Sequence, residues 1–485
     1  MERRGSEADP LNPGIRRDRS CRRRPRLTAV AIAVAAVAVP IGWLGLSGHL
    51  PLVGGAPTVT RSPSLPERIG APGKWSPSIT HAPIDGASVV FGDGDWGLDN
   101  LPDDTALTAA RSDAYRRVPN SAVAIAGITA ILSPDGRRLA VENGFIDVTT
   151  GHVVRLAPKR SGDYREPEAW SPDGRELAIV EYTEPDFLPP LTYTGAWTNP
   201  ATRASLAVVD VASGHETRIA DLNLTTPYDG WLAAFSPDGS KLAYQSGDQV
   251  VVVTRSGQAV SRFTVANGTR LAGKGAWTRD GSGLALVAET PCGCGRTYDS
   301  RWTMTVVDAD TGAARATSYV LDGVVAIRLL GWSPTSEPVV VAYHPLGPSD
   351  LDPGNRPVTF RTGPPDASGV DQNGLAVDGI ELLDDVDTAD VVALREGRAP
   401  RTMLTSTATG AGSLDVADNV IAGGLTRPGD PPLLTANMVD AMVPVGILVA
   451  IAAAVVVGPL LLMRRRRARR RSSGDSYAGS RRIAG

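Results

Sequence analysis

Between Trp231 and Ala266 the chain alternates short apolar runs with turn residues: Trp231–Phe235, Lys241–Gln245, Gln249–Thr254 and Ala259–Val265, separated by Ser-Pro-Asp-Gly, Ser-Gly-Asp and Arg-Ser-Gly. Runs of five to seven residues rich in Val, bounded by such turns, predict four antiparallel strands joined by tight reversals. Each turn has a mechanism. Pro237 presets φ, the Asp238 carboxylate accepts backbone amides two residues on, and Gly239 takes a positive φ with no Cβ to clash. A Val-rich second and third strand also predicts a sheet buried on both faces.

The unit recurs. Leu132-Ser133-Pro134-Asp135-Gly136 precedes Leu139-Ala140, Trp170-Ser171-Pro172-Asp173-Gly174 precedes Leu177-Ala178, and Trp277-Thr278-Arg279-Asp280-Gly281 precedes Leu284-Ala285. A fifth copy, Trp332-Ser333-Pro334-Thr335-Ser336, lacks the Asp-Gly. From Ser133 the copies step by 38, 65, 42 and 55 residues, a four-strand period near 40 with loops inserted, which is the mark of a β-propeller. A second element, Ile146-Asp147 to Gly151, Val209-Asp210 to Gly214 and Val307-Asp308 to Gly312, places an Asp and a Gly in the hairpin after the third strand. We read these aspartates as hairpin chemistry.

Through the aromatic-Ser-Pro-Asp-Gly-x-x-Leu-Ala element, residues 85–425 resemble the TolB-like and WD-repeat β-propellers. The resemblance implies an all-β fold and leaves function open, because propellers carry binding proteins and several enzyme classes. Five recognisable blades and a last strand around Asp415–Ile421, completed by strands from residues 87–118, predict six blades, with seven the other count the spacing allows. That closure ties the two ends of the propeller together. If the C-terminal strands form the inner pair of the shared blade, the chain enters and leaves on the face that carries the long loops.

The flanks read differently. Residues 1–26 form a basic tail, followed by an apolar run at 27–46 that we read as a transmembrane signal anchor, with a cleaved signal peptide as the competing reading. Residues 47–84, rich in Pro, Gly and Ser, read as a flexible linker, and 426–440 as a second linker. The run 441–463 reads as another transmembrane helix, stopped by Arg464-Arg465-Arg466-Arg467 within a basic tail at 464–485. Basic residues beyond the outer end of both runs put both termini in the cytoplasm and the propeller outside the cell membrane of a bacterium. A net charge of -3 argues against a nucleic-acid binder, and the terminal arginines are accounted for by topology and anionic lipid.

Three long insertions, near 182–203, 289–301 and 343–376, each fall between the second and third strand of a blade and so emerge on one face. Loops on a rigid scaffold are where binding residues gather. The first carries Phe187, Tyr193 and Trp197 and the second Arg296 and Tyr298, which make the candidate binding set. Cys292 and Cys294 in Pro-Cys-Gly-Cys-Gly read as a strained local disulfide, with a soft-metal or redox site as the second reading. The acidic stretch from Asp93 departs from a calcium loop, with Leu98 where a glycine belongs and Asp104 where a glutamate belongs. No cofactor or metal is called for.

Catalytic signatures are absent: there is no Gly-x-Ser-x-Gly, His-Glu-x-x-His or phosphate loop. His152 and His215 follow Gly in equivalent hairpins, which points to shared repeat ancestry, and His344 opens the third insertion. Two functions therefore stand: a membrane-anchored module binding a protein or cell-envelope ligand, and a propeller hydrolase or lyase acting on an envelope glycan or small ligand at the central channel.

Overall fold

The computed structural model describes residues 59–432, apart from 74–75, 93–104, 120–125, 128, 157–162, 184–203, 223–231, 267, 292–299, 346–385 and 408–410, together with residues 459–464. Gly54–Asp440 forms one compact unit. It is a six-bladed β-propeller. Blade 2 is Ile131–Leu132, Arg138–Val141, Gly144–Asp147 and His152–Arg155, and blade 3 is Asp163–Trp170, Glu176–Thr183, Ala204–Asp210 and Glu216–Asp221. Blade 4 is Ala233–Phe235, Lys241–Ser246, Gln249–Thr254 and Ala259–Thr264, within two residues of the expected bounds. Blade 5 is Thr269–Leu271, Gly283–Pro291, Ser300–Asp308 and Ala314–Asp322, and blade 6 is Ala326–Trp332, Pro338–Pro345, Val386–Arg395 and Arg398–Ser406.

Blade 1 is closed across the chain ends. Its inner strand is Ser413–Val416, paired antiparallel to Ala87–Gly92, and Ala106–Ala109 and Tyr115–Arg117 complete it. One C-terminal strand therefore does what the sequence assigned to a pair: Arg398–Ser406 is the fourth strand of blade 6, and the expected strand stops at Val416. A helix, α1 (Asp418–Gly423), follows it. Gly424, at φ 62°, ends that helix in the left-handed region, its N–H on Val420 and Ile421 carbonyls.

The repeated turns form a ring on one face, here called the turn face. In each, a hydroxyl donates to the Asp and accepts the first N–H of the second strand: Ser171 Oγ lies 2.6 Å from Asp173 Oδ1 and 2.9 Å from Glu176 N, and Ser236 repeats both distances with Asp238 and Lys241. Blade 6 keeps this geometry without Asp-Gly, because Thr335 Oγ1 meets Ser333 Oγ at 2.9 Å and Ser336 takes φ 62°. A serine there is strained, so Ser336→Gly is expected to stabilise the protein by about 1 kcal/mol. Equilibrium denaturation measures this; a loss of stability would mean that the Ser336 side chain makes up for the strain.

Asp238 and Asp280 are held at about 2, Asp238 by the Ser236 hydroxyl and then the Ser240 N–H, Asp280 by the Ser282 and Thr278 hydroxyls. Asp173 is also lowered, first by Ser171. Depressed carboxylates stabilise the fold fully above their unfolded value and lose that contribution as pH falls through the folded one. Stability from these turns is therefore expected to be constant above about pH 4 and to fall from there toward about pH 2. Denaturation midpoints against pH test it: Asp238→Asn must flatten that decline, and an unchanged slope would remove the turns as its cause.

The expected linker at 47–84 is folded over its described part. Arg68–Ile69 adds to blade 6 as a fifth, outermost strand, parallel to Thr405–Ser406, and Leu65–Pro66 pairs parallel with Thr426–Arg427. Leu65, Ile69 and Ile79 are fully buried. Apolar residues spaced by prolines fill the outer grooves of blades 6 and 1, where pairing covers the exposed sheet edge. The start of the 426–440 segment is likewise paired.

The expected spans at 27–46 and 441–463 lie outside the described residues, except for 459–463. Residues 459–464 are helical and exposed. Among the described residues no helix is long and apolar enough to cross a membrane.

Candidate functional site

The inner strands place a buried charged cluster at the junction of four blades. Asp415, fully buried on the closing strand, uses both oxygens: Oδ2 accepts the Leu132 N–H of blade 2 at 2.9 Å and Lys274 Nζ at 3.1 Å, while Oδ1 lies 3.2 Å from Arg328 Nη2 of blade 6. Lys274 follows the inner strand of blade 5. It also donates to the Val416 carbonyl at 2.7 Å and pairs with Asp418 Oδ1 at 2.9 Å. Arg328 Nη2 also donates to the Leu414 carbonyl at 2.7 Å.

Burial opposes the charge of Lys274, but Asp415 and Asp418 together hold its pKa above that of an ordinary lysine. Burial likewise opposes Arg328, and Tyr343 and Asp415 outweigh it. Asp418, 44% exposed, is the solvent end of the cluster. The glycines fit this packing: a Cβ on Gly127 would meet the Arg328 guanidinium and one on Gly273 its aliphatic stem. Chemically the cluster is a latch. Both carboxylate oxygens of Asp415 are already held, Oδ1 by Arg328 and Oδ2 by Lys274 and the Leu132 amide, which suits it to join blades rather than to exchange protons.

Sequence reasoning passed over these residues, although one signal was present. Lysine occurs only at Lys74, Lys159, Lys241 and Lys274 in an arginine-rich chain, and Lys274 stands between two glycines. A compact three-donor head, which the larger guanidinium cannot replace, is a physical reason for that exception.

The second face is defined by the connections between second and third strands. The three insertions leave from Thr183, Pro291 and Pro345 and return at Ala204, Ser300 and Val386, all at the edge opposite the turn ring. Phe187, Tyr193, Trp197, Arg296 and Tyr298 lie in them and are outside the described residues, as are Cys292, Cys294 and the acidic stretch from Asp93. Two polar pairs stand where the insertions begin. Glu289 accepts from the Ser300 hydroxyl at the base of the second, its carboxyl raised by burial. His344 Nε2 lies 3.3 Å from Asp390 Oδ2 at the base of the third, and Asp390 also accepts the Ser406 N–H at 3.1 Å.

The remaining candidates resolve into turn chemistry. Asp147, Asp210 and Asp308 each accept N–H and hydroxyl groups of their own hairpins, and the N–H groups of His152 and His215 bond the hydroxyls of Thr150 and Ser213 in the same way. No group of three or more His, Cys, Asp or Glu able to hold a metal is found among the described residues.

Ala87, where the second strand of blade 1 begins, and Val416, where its closing strand ends, lie on the turn face. Ala87 N bonds Gly136 O, Asn419 N bonds Pro134 O, and Gly424 packs on Pro334, so α1 occupies the gap in the ring where blade 1 has no covalent turn. This reverses the expectation for the closing strand itself, although the outgoing segment then runs back along the outside of blade 6, beside Arg68–Ile69, which is parallel to Thr405–Ser406, and brings Pro431 beside Gly70 and Thr407 at the insertion edge. The closing strand is single, so the chain crosses the blade once and emerges at the opposite edge.

No protein-family model matches the chain, and no curated protein sequence matches it. Among solved structures it is similar to TolB from Acinetobacter baumannii, with 14% identity, TM-score 0.35, and 68% of this chain and 65% of that one covered. It is also similar to an oligogalacturonate lyase in complex with manganese, with 16% identity, TM-score 0.35, and 52% and 66% covered. A third, Porphyromonas gingivalis dipeptidyl peptidase 4, has 14% identity, TM-score 0.31, and 53% and 41% covered. The chain spans slightly less than two thirds of the length of the first two. Likeness at this level carries no argument, and the six blades with their repeated turn make the chain a six-bladed β-propeller in fold.

Proposed function

We propose that the protein is an extracytoplasmic propeller, anchored in the cell membrane by segments 27–46 and 441–463 with both termini cytoplasmic, which binds a protein or cell-envelope ligand through its insertion face. One observation carries this reading: the three long insertions are rooted together at one edge of a rigid propeller, leaving from Thr183, Pro291 and Pro345. Loops gathered on one edge of a rigid scaffold supply recognition. Phe187, Tyr193 and Trp197 give the first insertion the aromatic content of an interface hot spot, and Arg296 and Tyr298 extend it.

The test is in-cell photo-crosslinking from Tyr193 or Trp197, with identification of the captured species. A specific partner that disappears when residues 184–203 are shortened supports the reading. No capture from a folded, exported chain, together with turnover of envelope glycan by the purified protein, would instead place activity at the central channel.

A further inference from the structure

We infer that the outer edge of blade 5 is a dimerisation surface, on which the strand Ala314–Asp322 pairs antiparallel with its counterpart in a second copy of the chain. The inference is independent of what the insertions bind. An outermost strand presents a row of N–H and C=O groups that the sheet itself does not use, and this propeller already covers two such rows with extended chain. On blade 6, Arg68–Ile69 lies parallel to Thr405–Ser406. On blade 1, Arg117 N donates to Pro77 O at 3.1 Å and Ile79 N to Arg117 O at 2.9 Å. Ala314–Asp322 is the last strand of its sheet, and no described strand lies beyond it.

The other open edges are guarded. His152–Arg155 of blade 2 is four residues long and ends on an arginine, Glu216–Asp221 of blade 3 carries Glu216, Arg218 and Asp221, and Ala259–Thr264 of blade 4 has Arg262 near its middle. Short strands and edge charges keep sheets from pairing. The outer strand of blade 5 has nine residues, and its Ala316-Thr317-Ser318-Tyr319-Val320-Leu321 contains neither charge nor proline. The flanking charges are occupied within the blade: Arg315 Nη2 donates to Ser282 O at 2.6 Å, and Arg301 holds Asp322 at 2.8 and 2.9 Å. The register shift on this strand falls on the Ala314 side of Ser318, so Ser318–Asp322 is regular.

The existing pairing fixes which groups face outward. Gly323 N donates to Ser300 O at 2.9 Å, and hydrogen-bonded positions recur every second residue, so Tyr319 and Leu321 bond inward while Ser318, Val320 and Asp322 turn their N–H and C=O to the perimeter. A twofold axis through Val320 then sets Val320 against Val320 and Ser318 against Asp322 in hydrogen-bonding register, with Tyr319 against Leu321 between them. Each pair suits itself. Tyr319 and Leu321 are half-buried and held by the core, so an aromatic ring meets an aliphatic chain already in place. Asp322 meets a serine hydroxyl that can donate to it, and the two Asp322 carboxylates stand apart. A foreign peptide would have to supply these matches, whereas the chain carries them in its own strand.

The experiment takes the full chain purified in mild detergent, carrying Cys21→Ser, Cys292→Ser and Cys294→Ser, and adds one cysteine as Val320→Cys or, for the control, Val260→Cys. Val260 is equally exposed, at 46%, on the outer strand of blade 4. Hydrogen-bonded antiparallel partners sit about 5.5 Å apart between Cα atoms, within disulfide reach. Oxidation with copper phenanthroline is expected to link Val320→Cys into a covalent dimer and to leave Val260→Cys unlinked. Light scattering of the unsubstituted chain is expected to give the mass of a dimer, and Val320→Lys, which sets like charges opposite one another, to raise its dissociation constant by about tenfold or more. Val320 is exposed, so neither substitution empties the core. A folded Val320→Cys chain that stays unlinked overturns the pairing, as does linking of Val260→Cys to the same extent or a dimer that Val320→Lys leaves unchanged. A peptide of another protein held at this edge of a monomeric chain overturns the second copy as its occupant.

Discussion

Replacing Asp415 with alanine is expected to cost about 3–5 kcal/mol of stability, because it leaves Arg328 and Lys274 buried with a carboxylate removed from between them. The cost comes from the partners more than from the bond. Taking two cations out of water is compensated here by one anion that both share, with Asp418 a second partner of Lys274, and neither cation can reach solvent: their side chains are 1% and 5% exposed. The substitution acts on the strand that closes the ring, so unfolding is expected to begin by release of Ser413–Val416. Asp415→Asn should recover about 1 kcal/mol of the loss, since its amide oxygen still accepts the Leu132 N–H. A triple replacement of Lys274, Arg328 and Asp415 by apolar residues of similar volume should cost less than the single alanine. Denaturation of the full chain followed by tryptophan fluorescence measures all three. An alanine variant within about 1 kcal/mol of wild type would show that packing, and not this cluster, holds blade 1 closed.

A loss of similar size is expected at Trp277. The residue before each repeated turn, Leu132, Trp170, Phe235, Trp277 or Trp332, is buried against the preceding blade. Where it is tryptophan its indole also donates across the interface: Trp170 to Ile131 O at 3.2 Å, Trp277 to Ala234 O at 2.9 Å, and Trp332 to Gly275 O at 3.1 Å. Trp277→Ala removes both volume and bond and should cost about 3–5 kcal/mol. Trp277→Phe keeps most of the volume and should cost about 1 kcal/mol. Phe235 fills the equivalent place in blade 4 without a donor, which argues that volume matters more than the bond. Equal losses in the two variants would reverse that ranking and make the inter-blade hydrogen bond the main tie.

The repeated turn was legible because its chemistry is local. Ser236, Pro237, Asp238 and Gly239 satisfy one another within five residues, so four such copies announced the blades and their order before any pairing was known. Blade 4 followed the pattern closely, since Val250–Val253 are buried on both sides as their uninterrupted apolar run requires. The fifth turn was recognised only as a degraded copy, because Thr335 and Ser336 reach the same geometry with residues that do not advertise it. Among candidate residues, the hairpin reading of Asp147, Asp210 and Asp308 agrees with their hydrogen bonds. The aromatic set of the insertions rests on composition alone.

What the chain could declare by itself was therefore everything set by near neighbours: strand length, turn type, the count of repeats, the apolar runs at 27–46 and 441–463, and the positions of the three insertions. Tertiary structure decided what depends on residues far apart in sequence. Asp415 meets Leu132 across 283 positions, and Arg427 meets Ser64 across 363. An isolated Asp in an apolar strand or an Arg after a helix has no local signature, because its partner set exists only once the ring is closed. The same closure chose the face on which the closing strand ends, because a single C-terminal strand crosses the blade once, where a pair would have returned the chain to the side it came from.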